Sequence, residues 1–133
     1  MPTNPKGNSV VRLSEAQIER TCTDILELDR WRALKTDPVS RKEWGKGFGE
    51  PGMADDQFIR YDREMPCRGQ AEVLWVEFKT RHGKVAKRQL AWHQAERARG
   101  ALTAIAGIDF EATIEGFQAW YLASGLNRRL HVE

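Results

Sequence analysis

The chain has few of the residues that cross-link small secreted domains or hold structural zinc: two cysteines and three histidines in 133 residues. Two cysteines without paired histidines do not form a zinc site. No charged segment followed by an apolar run indicates a secretory signal. We therefore expect both thiols to be free in a reducing cytoplasm, that of a bacterial or phage-infected cell, with Cys22 as a buried, unreactive thiol.

Long apolar runs are also missing, since no uninterrupted stretch is long enough to span a bilayer. With 41% hydrophobic and 30% charged residues, the composition is that of a globular domain. The length fits a single domain. We expect a loose N-terminal tail over residues 1–13, one domain over residues 14–125 and a C-terminal tail over residues 126–133, with no membrane and no small-molecule cofactor as partners.

The net charge is only +2, but the charges are unevenly distributed, and some segments lack charge of one sign. Lys and Arg do not occur between Gly100 and Asn127, whereas Glu96 is the one acid between Lys79 and Arg99. A locally basic face is sufficient to hold a phosphate backbone. The candidate nucleic-acid-binding residues are Arg81, Lys84, Lys87, Arg88, Lys46 and Arg41.

Hydrophobic spacing predicts alternating helices and strands. Ser14 and Gln17 form a capping-box pattern at the start of the first helix. Strands are predicted over residues 31–35, 56–62, 71–79 and 101–106, and helices over residues 14–30, 85–99 and 109–123, so that the order is α-β-β-β-α-β-α. The residues at 63–70 are typical of a hairpin turn. The last helix is expected to bury Ile114, Phe117 and Tyr121, and its apolar residues Phe117, Trp120, Tyr121 and Leu122 are a candidate homodimer surface.

Residues 36–52 are rich in glycine and proline and cannot form a regular element. So long a loop is often functional. Its cations and aromatics, among them Arg41, Trp44 and Lys46, suit contact with nucleic acid. A solvated loop whose aromatics pack on the core explains the same residues equally well.

The strand over residues 71–79 carries the pattern with the clearest chemistry. Alternation places Leu74, Val76 and Phe78 on one face and Glu77 with Lys79 on the other. A charged pair at the end of an apolar strand is costly unless a metal ion and a phosphate compensate it. Glu77 and the backbone carbonyl of Phe78 can bind a hard divalent cation, and Lys79 can orient water or neutralise charge on phosphate.

A second carboxylate is supplied by Asp55, at the start of the preceding strand. If the two strands form a hairpin, Asp55 and Glu77 can converge, and Mg2+ is usually held by one or two protein carboxylates with waters. Such a metal lowers the pKa of bound water and polarises a phosphate. The same chemistry needs no histidine base, so His93 is expected on the surface of its helix.

In chain order, Gly52-Met53-Ala54-Asp55, then Glu77-Phe78-Lys79, then Gln89 within a helix resemble the motifs of the PD-(D/E)XK nuclease superfamily. Within it, the sequence is most similar to the VRR-NUC (virus-type replication-repair nuclease) family. The resemblance implies an α/β fold with a restriction-endonuclease-like core, in which helices flank a mixed β-sheet.

The resemblance also implies roles for individual residues. Asp55 and Glu77 match the metal ligands, and Lys79 matches the catalytic lysine. Gln89 matches a glutamine that reaches towards the active site. Glu19 matches a helical glutamate that supports the metal directly or through water. Asp56 competes with Asp55 for the metal, and Glu15, one turn before Glu19, competes for the helical role.

The function that the resemblance implies is a Mg2+- or Mn2+-dependent DNA endonuclease. Stand-alone members of the family resemble Holliday-junction resolvases, so we expect branched DNA as substrate and a homodimer with two active sites. The setting would be phage or bacterial replication, repair or recombination. The alternative is a non-catalytic nucleic-acid-binding module that keeps the nuclease fold.

Overall fold

The computed structural model describes residues 13–35, 52–61 and 70–130. Seven elements follow one another in the predicted order. They are α1 (Glu15–Leu28), β1 (Arg32–Lys35), β2 (Asp56–Tyr61), β3 (Ala71–Glu77), α2 (Lys87–Ala98), β4 (Leu102–Ile105) and α3 (Ile114–Ala123). The predictions for the glycine-rich loop at 36–51, including Arg41 and Lys46, and for the turn at 63–69 lie outside the described residues.

Side-chain caps begin two of the helices. The Ser14 hydroxyl accepts from the Gln17 amide at 3.1 Å, and the Gln17 side chain accepts from the Ser14 amide at 2.8 Å, which confirms the predicted capping box. Thr113 caps α3 by accepting from the amide of Gly116. The last helix therefore begins at Ile114 rather than at Asp109, because Asp109 instead accepts from the amide of Ile105 and holds a turn.

The four strands form one mixed sheet in the order β1-β2-β3-β4. The β1/β2 and β2/β3 pairs are antiparallel, whereas β3 and β4 are parallel and joined by α2. In the register, Val76 lies opposite Asp56 on one side and opposite Ala104 on the other. Over the described residues the fold is thus mixed α/β, with an open four-stranded sheet and three helices.

The two faces of the sheet are covered differently. Leu74 and Val76 belong to the main apolar core, together with residues of α1 and α3 that include Cys22 and Phe117. The opposite face of β3 meets α2, where the rings of Trp75 and Trp92 pack edge to face with centroids 5.1 Å apart. The buried position expected for the Cys22 thiol is confirmed, and burial raises the pKa of that thiol.

The packing of α3 corrects the proposed dimer surface. Phe117 and Tyr121 are fully buried in the core, so they are not available to a second protomer. Trp120 is partly buried against the same core, and Leu122 is exposed. The earlier prediction that Phe117 and Tyr121 line an interface is wrong, because they pack on α1 and the sheet. Homodimer formation itself stays a prediction.

Asp29, at the carboxyl end of α1, is a buried anchor for distant parts of the chain. Its carboxylate accepts from Arg60 of β2 at 3.0 Å, from the Tyr121 hydroxyl, and from the backbone amides of Arg128 and Arg129. The described part of the C-terminal tail, residues 126–130, is therefore fixed to the domain. Within the described residues no helix is both long and apolar enough to cross a membrane.

Candidate functional site

Glu77 is the last residue of β3, and its side chain is fully buried. Gln89 Nε2 donates to Glu77 Oε2 at 3.1 Å, and Lys79 Nζ lies 3.9 Å from the same oxygen. Burial raises the pKa of Glu77, and the charge of Asp55 adds to the rise, whereas His93 and Lys79 oppose it. The predicted residues Glu77, Lys79 and Gln89 are thus brought together around one buried carboxyl group.

Gln89 reaches Glu77 because it lies in the first turn of α2 and is fixed at both ends of its amide. Its Oε1 accepts from the backbone amide of Ala86 at 2.9 Å, and its Nε2 then points to Glu77. Alanine at the N-cap position has no side-chain acceptor for the amides of the first turn, but its own amide is satisfied by Gln89, as in one half of a capping box. One side chain therefore caps α2 and orients the carboxyl group of Glu77.

The segment before Asp55 is packed on the same turn of α2. Gly52 has φ of +83°, a conformation that side chains disfavour. A Cβ atom at Gly52 would lie 2.2 Å from the carbonyl oxygen of Arg88. Glycine is therefore required at the first position of Gly52-Met53-Ala54-Asp55, since no other residue permits this approach.

The strand register separates Asp55 from Asp56. Asp56 lies opposite Val76, so it faces α1 and the main core. Asp55 precedes β2 at a bend and is outside the paired ladder. Its charge raises the pKa of Glu77. Of the two competing aspartates, Asp55 is therefore the one whose charge acts on Glu77.

Asp56 instead pairs with a glutamate of α1. Its side chain is 6% exposed and forms a hydrogen bond with Glu19. Burial and that hydrogen bond raise the pKa of Asp56 to about 8, so the carboxyl group holds a proton at neutral pH. Glu19 also accepts from Lys35 Nζ at 2.9 Å. Glu19 is therefore in contact with Asp56 and with Lys35 of β1.

Glu15 is influenced by charges near both aspartates. Partial burial raises the pKa of Glu15; the charge of Lys79 opposes the rise, the charges of Asp55 and Glu19 add to it, and Lys35 opposes it. Neither Glu15 nor Glu19 is among the groups that shift the pKa of Glu77. Glu19 contacts Asp56 and Lys35, whereas among the two glutamates only the pKa of Glu15 is shifted by Lys79.

His93 is a residue beside the candidate site that sequence reasoning missed. It was expected on the helix surface, but its side chain is 1% exposed and its Nε2 lies 3.6 Å from Glu77 Oε1. That expectation is wrong because α2 lies across β3 and β4 at this turn, and His93 Nδ1 shares a hydrogen bond with the Thr103 hydroxyl of β4. The sequence did contain one indication: His93 lies four residues after Gln89, and residues four apart share a helix face.

The donor set fits a hard, hydrated cation better than a closed metal cage. Within residues 13–35, 52–61 and 70–130, no three His, Cys, Asp or Glu side chains are grouped so as to hold a metal ion. Mg2+ needs only one or two protein carboxylates because it keeps several waters. Glu77 Oε1 is buried without a hydrogen-bond partner in this part of the chain. Since the Phe78 side chain is buried in the core, only its backbone carbonyl is suited to join such a site.

Cationic side chains follow the site along the chain. Arg81, Lys84, Lys87 and Arg88, hereafter the basic segment, are all exposed in the connection from β3 and the first turn of α2. Exposed cations near a buried carboxyl group can contact phosphates without forming internal ion pairs. In comparisons with known proteins, no family model, curated protein or solved structure matched the chain.

Proposed function

We propose that the protein is a Mg2+- or Mn2+-dependent nuclease of the PD-(D/E)XK type that hydrolyses DNA phosphodiester bonds. The observation that carries the proposal is the juxtaposition of Glu77, Lys79 and Gln89, with Asp55 close enough for its charge to raise the pKa of Glu77. Carboxylates beside an ammonium group suit a divalent cation and a phosphate together.

Each residue has a distinct task in this proposal. Asp55 and Glu77 would hold the cation, with the Phe78 carbonyl as a further oxygen ligand. A divalent cation held there would lower the pKa of a bound water and would polarise the scissile phosphate. Lys79 neutralises the negative charge that builds on the phosphate, and Gln89 keeps Glu77 oriented. Glu19, acting through water, and Glu15 are the two candidates for the helical glutamate.

The basic segment supports DNA as the substrate. Contacts to phosphates fix a duplex in place but carry no base sequence, so we propose recognition of DNA shape rather than of sequence. Branched DNA, such as a four-way junction, is our preferred substrate, and a homodimer would present two sites to two strands. Replication, repair or recombination in the cytoplasm of a bacterial or phage-infected cell is the setting that this proposal entails.

A cleavage panel tests the proposal. The substrates are linear duplex, single strand, flap and four-way junction, each with Mg2+, Mn2+ or a chelator. We expect metal-dependent cutting that Glu77→Gln and Lys79→Met each reduce by roughly 100-fold or more. Glu27→Gln is the matched control, because Glu27 is an exposed glutamate of α1.

Two outcomes would overturn the proposal. One is a Glu77→Gln or Lys79→Met variant that cuts as fast as the parent. The other is a parent protein that cuts none of the four DNA forms with either metal. Tight binding of branched DNA without any cutting would support the non-catalytic binding module instead.

A further inference from the structure

His93 connects the candidate site to the last strand of the sheet. Its ring is buried between Glu77 at the end of β3 and Thr103 on β4. The Nδ1 atom is hydrogen-bonded to the Thr103 hydroxyl, and Nε2 faces Glu77 Oε1 at 3.6 Å. Among the described residues, both Nε2 and Oε1 are buried without a conventional hydrogen-bond partner. Each atom is therefore a candidate partner for the other, because buried polar groups are normally hydrogen-bonded.

The groups at the two ring nitrogens together decide where the ring proton lies. A neutral imidazole has one nitrogen that donates and one that accepts, and the Thr103 hydroxyl can serve either at Nδ1. With Glu77 ionised, a proton on Nε2 is directed at the carboxylate while Nδ1 accepts from Thr103. The opposite tautomer would place the Nε2 lone pair against the carboxylate oxygen in a water-poor site, which is unfavourable.

Gln89 and His93 therefore hold the two oxygens of one carboxyl group from consecutive turns of α2. Gln89 donates to Oε2 at 3.1 Å, and His93 faces Oε1. We propose that His93 is a positioning residue that, with Gln89, fixes the orientation in which Glu77 meets a divalent cation. The role of His93 as support for a metal ligand rests on the proposed function. The contact between His93 and the Glu77 carboxyl group does not depend on that function.

Two substitutions of His93 separate positioning from packing. His93→Gln can keep a donor near the position of Nε2, whereas His93→Asn keeps a polar group near Thr103 but is too short to reach Glu77. Mn2+ binding to the intact chain, without DNA, is measured by calorimetry, and circular dichroism checks that both variants fold. We expect His93→Asn to weaken Mn2+ binding by about 10–100-fold and His93→Gln to retain most of it. Equal losses in the two folded variants would overturn the proposal.

A second measurement does not depend on metal or activity. Nitrogen-15 NMR of the metal-free parent reports which ring nitrogen of His93 carries the proton. We expect the proton on Nε2, with a chemical shift that changes in Glu77→Gln. A proton on Nδ1 alone, or a shift unaffected by Glu77→Gln, would overturn the positioning role. If the parent cuts no DNA, the proposed function fails, and this measurement still decides whether His93 holds Glu77.

Discussion

Gly52 lies against the backbone of Arg88 so closely that the carbonyl oxygen of Arg88 occupies the space of a side chain. The distance from an ideal Gly52 Cβ to that oxygen is 2.2 Å, and to the amide nitrogen of Gln89 it is 3.0 Å. The approach joins the entry to β2 with the first turn of α2. This backbone contact therefore contributes, with the hydrogen bonds of Gln89, to the placement of Asp55 and Gln89 near Glu77.

Gly52→Ala should be strongly destabilising, because the contact involves backbone that cannot rotate away. Gly107→Ala is the matched control: Gly107 has a similar φ of +89°, but nothing lies within 4 Å of its Cβ position. We expect the control to lose about 1 kcal/mol from backbone strain and Gly52→Ala to lose about 3 kcal/mol or more. Urea unfolding measures the free energy of unfolding of both variants. Equal losses of free energy would contradict a steric clash between residue 52 and the Arg88 backbone.

Asp29→Ala should cost about 3–5 kcal/mol of unfolding free energy, because it removes one of the two carboxylates that pair with the buried guanidinium of Arg60 and leaves only that of Glu72. The substitution also removes the acceptor of the Arg128 and Arg129 amides. Asp24→Ala, at an exposed position of α1, is the control and should change stability by less than about 0.5 kcal/mol. A similar result for both variants in urea unfolding would contradict the anchoring role.

The pH dependence of stability should carry the signature of Asp56. Its pKa in the folded protein is about 8, raised from 3.8. Between those values the folded state holds a proton that the unfolded state has lost, so this group makes stability fall as pH rises from about 4 to about 8. Above pH 8 its contribution is constant.

Asp56→Asn tests this sign, because asparagine keeps a donor for Glu19 and does not titrate. We expect the difference in unfolding free energy, variant minus parent, to increase from pH 5 to pH 8. Urea titrations at both pH values give that difference. Glu19, whose pKa is lowered, contributes in the opposite sense but only in a more acidic range. A difference that decreases with pH would refute the assignment.

Neutralising the basic segment should flatten the salt dependence of DNA binding. Each phosphate contact adds about 0.9 to the slope of log affinity against log salt for duplex DNA. Single substitutions to Gln within the segment are expected to lower the slope by about that amount. Arg97→Gln and Arg99→Gln are controls at the other end of α2, since these arginines already pair with Asp109 and Glu96. Equal effects at both ends would place the DNA contact elsewhere.

Local patterns in the sequence predicted most of the fold. Ser14 and Gln17 cap α1 through neighbouring atoms, and strict alternation around Leu74 and Val76 is sufficient to identify a half-buried strand. The start of α3 could not be placed as well. Asp109 suits a helix start, yet its carboxylate is used by Ile105 in a turn.

The candidate site depends on contacts that sequence does not encode locally. The choice between Asp55 and Asp56 follows from tertiary contacts, since Asp56 lies opposite Val76 and meets Glu19, whereas the charge of Asp55 acts on Glu77. Glu77, Lys79 and Gln89 were predicted because their spacing is a motif. His93 was missed because its burial comes from the packing of α2 on Thr103, a residue of another strand.

The Trp75 and Trp92 rings, which meet edge to face where α2 rests on β3, give the protein an internal optical probe. We expect two indoles at this separation to couple electronically and to give a paired signal in circular dichroism. Because Trp75 lies two residues before Glu77 and Trp92 directly precedes His93, that signal would report whether α2 is packed against β3. A change in the packing of α2 when substrate or metal binds could therefore be followed without a label.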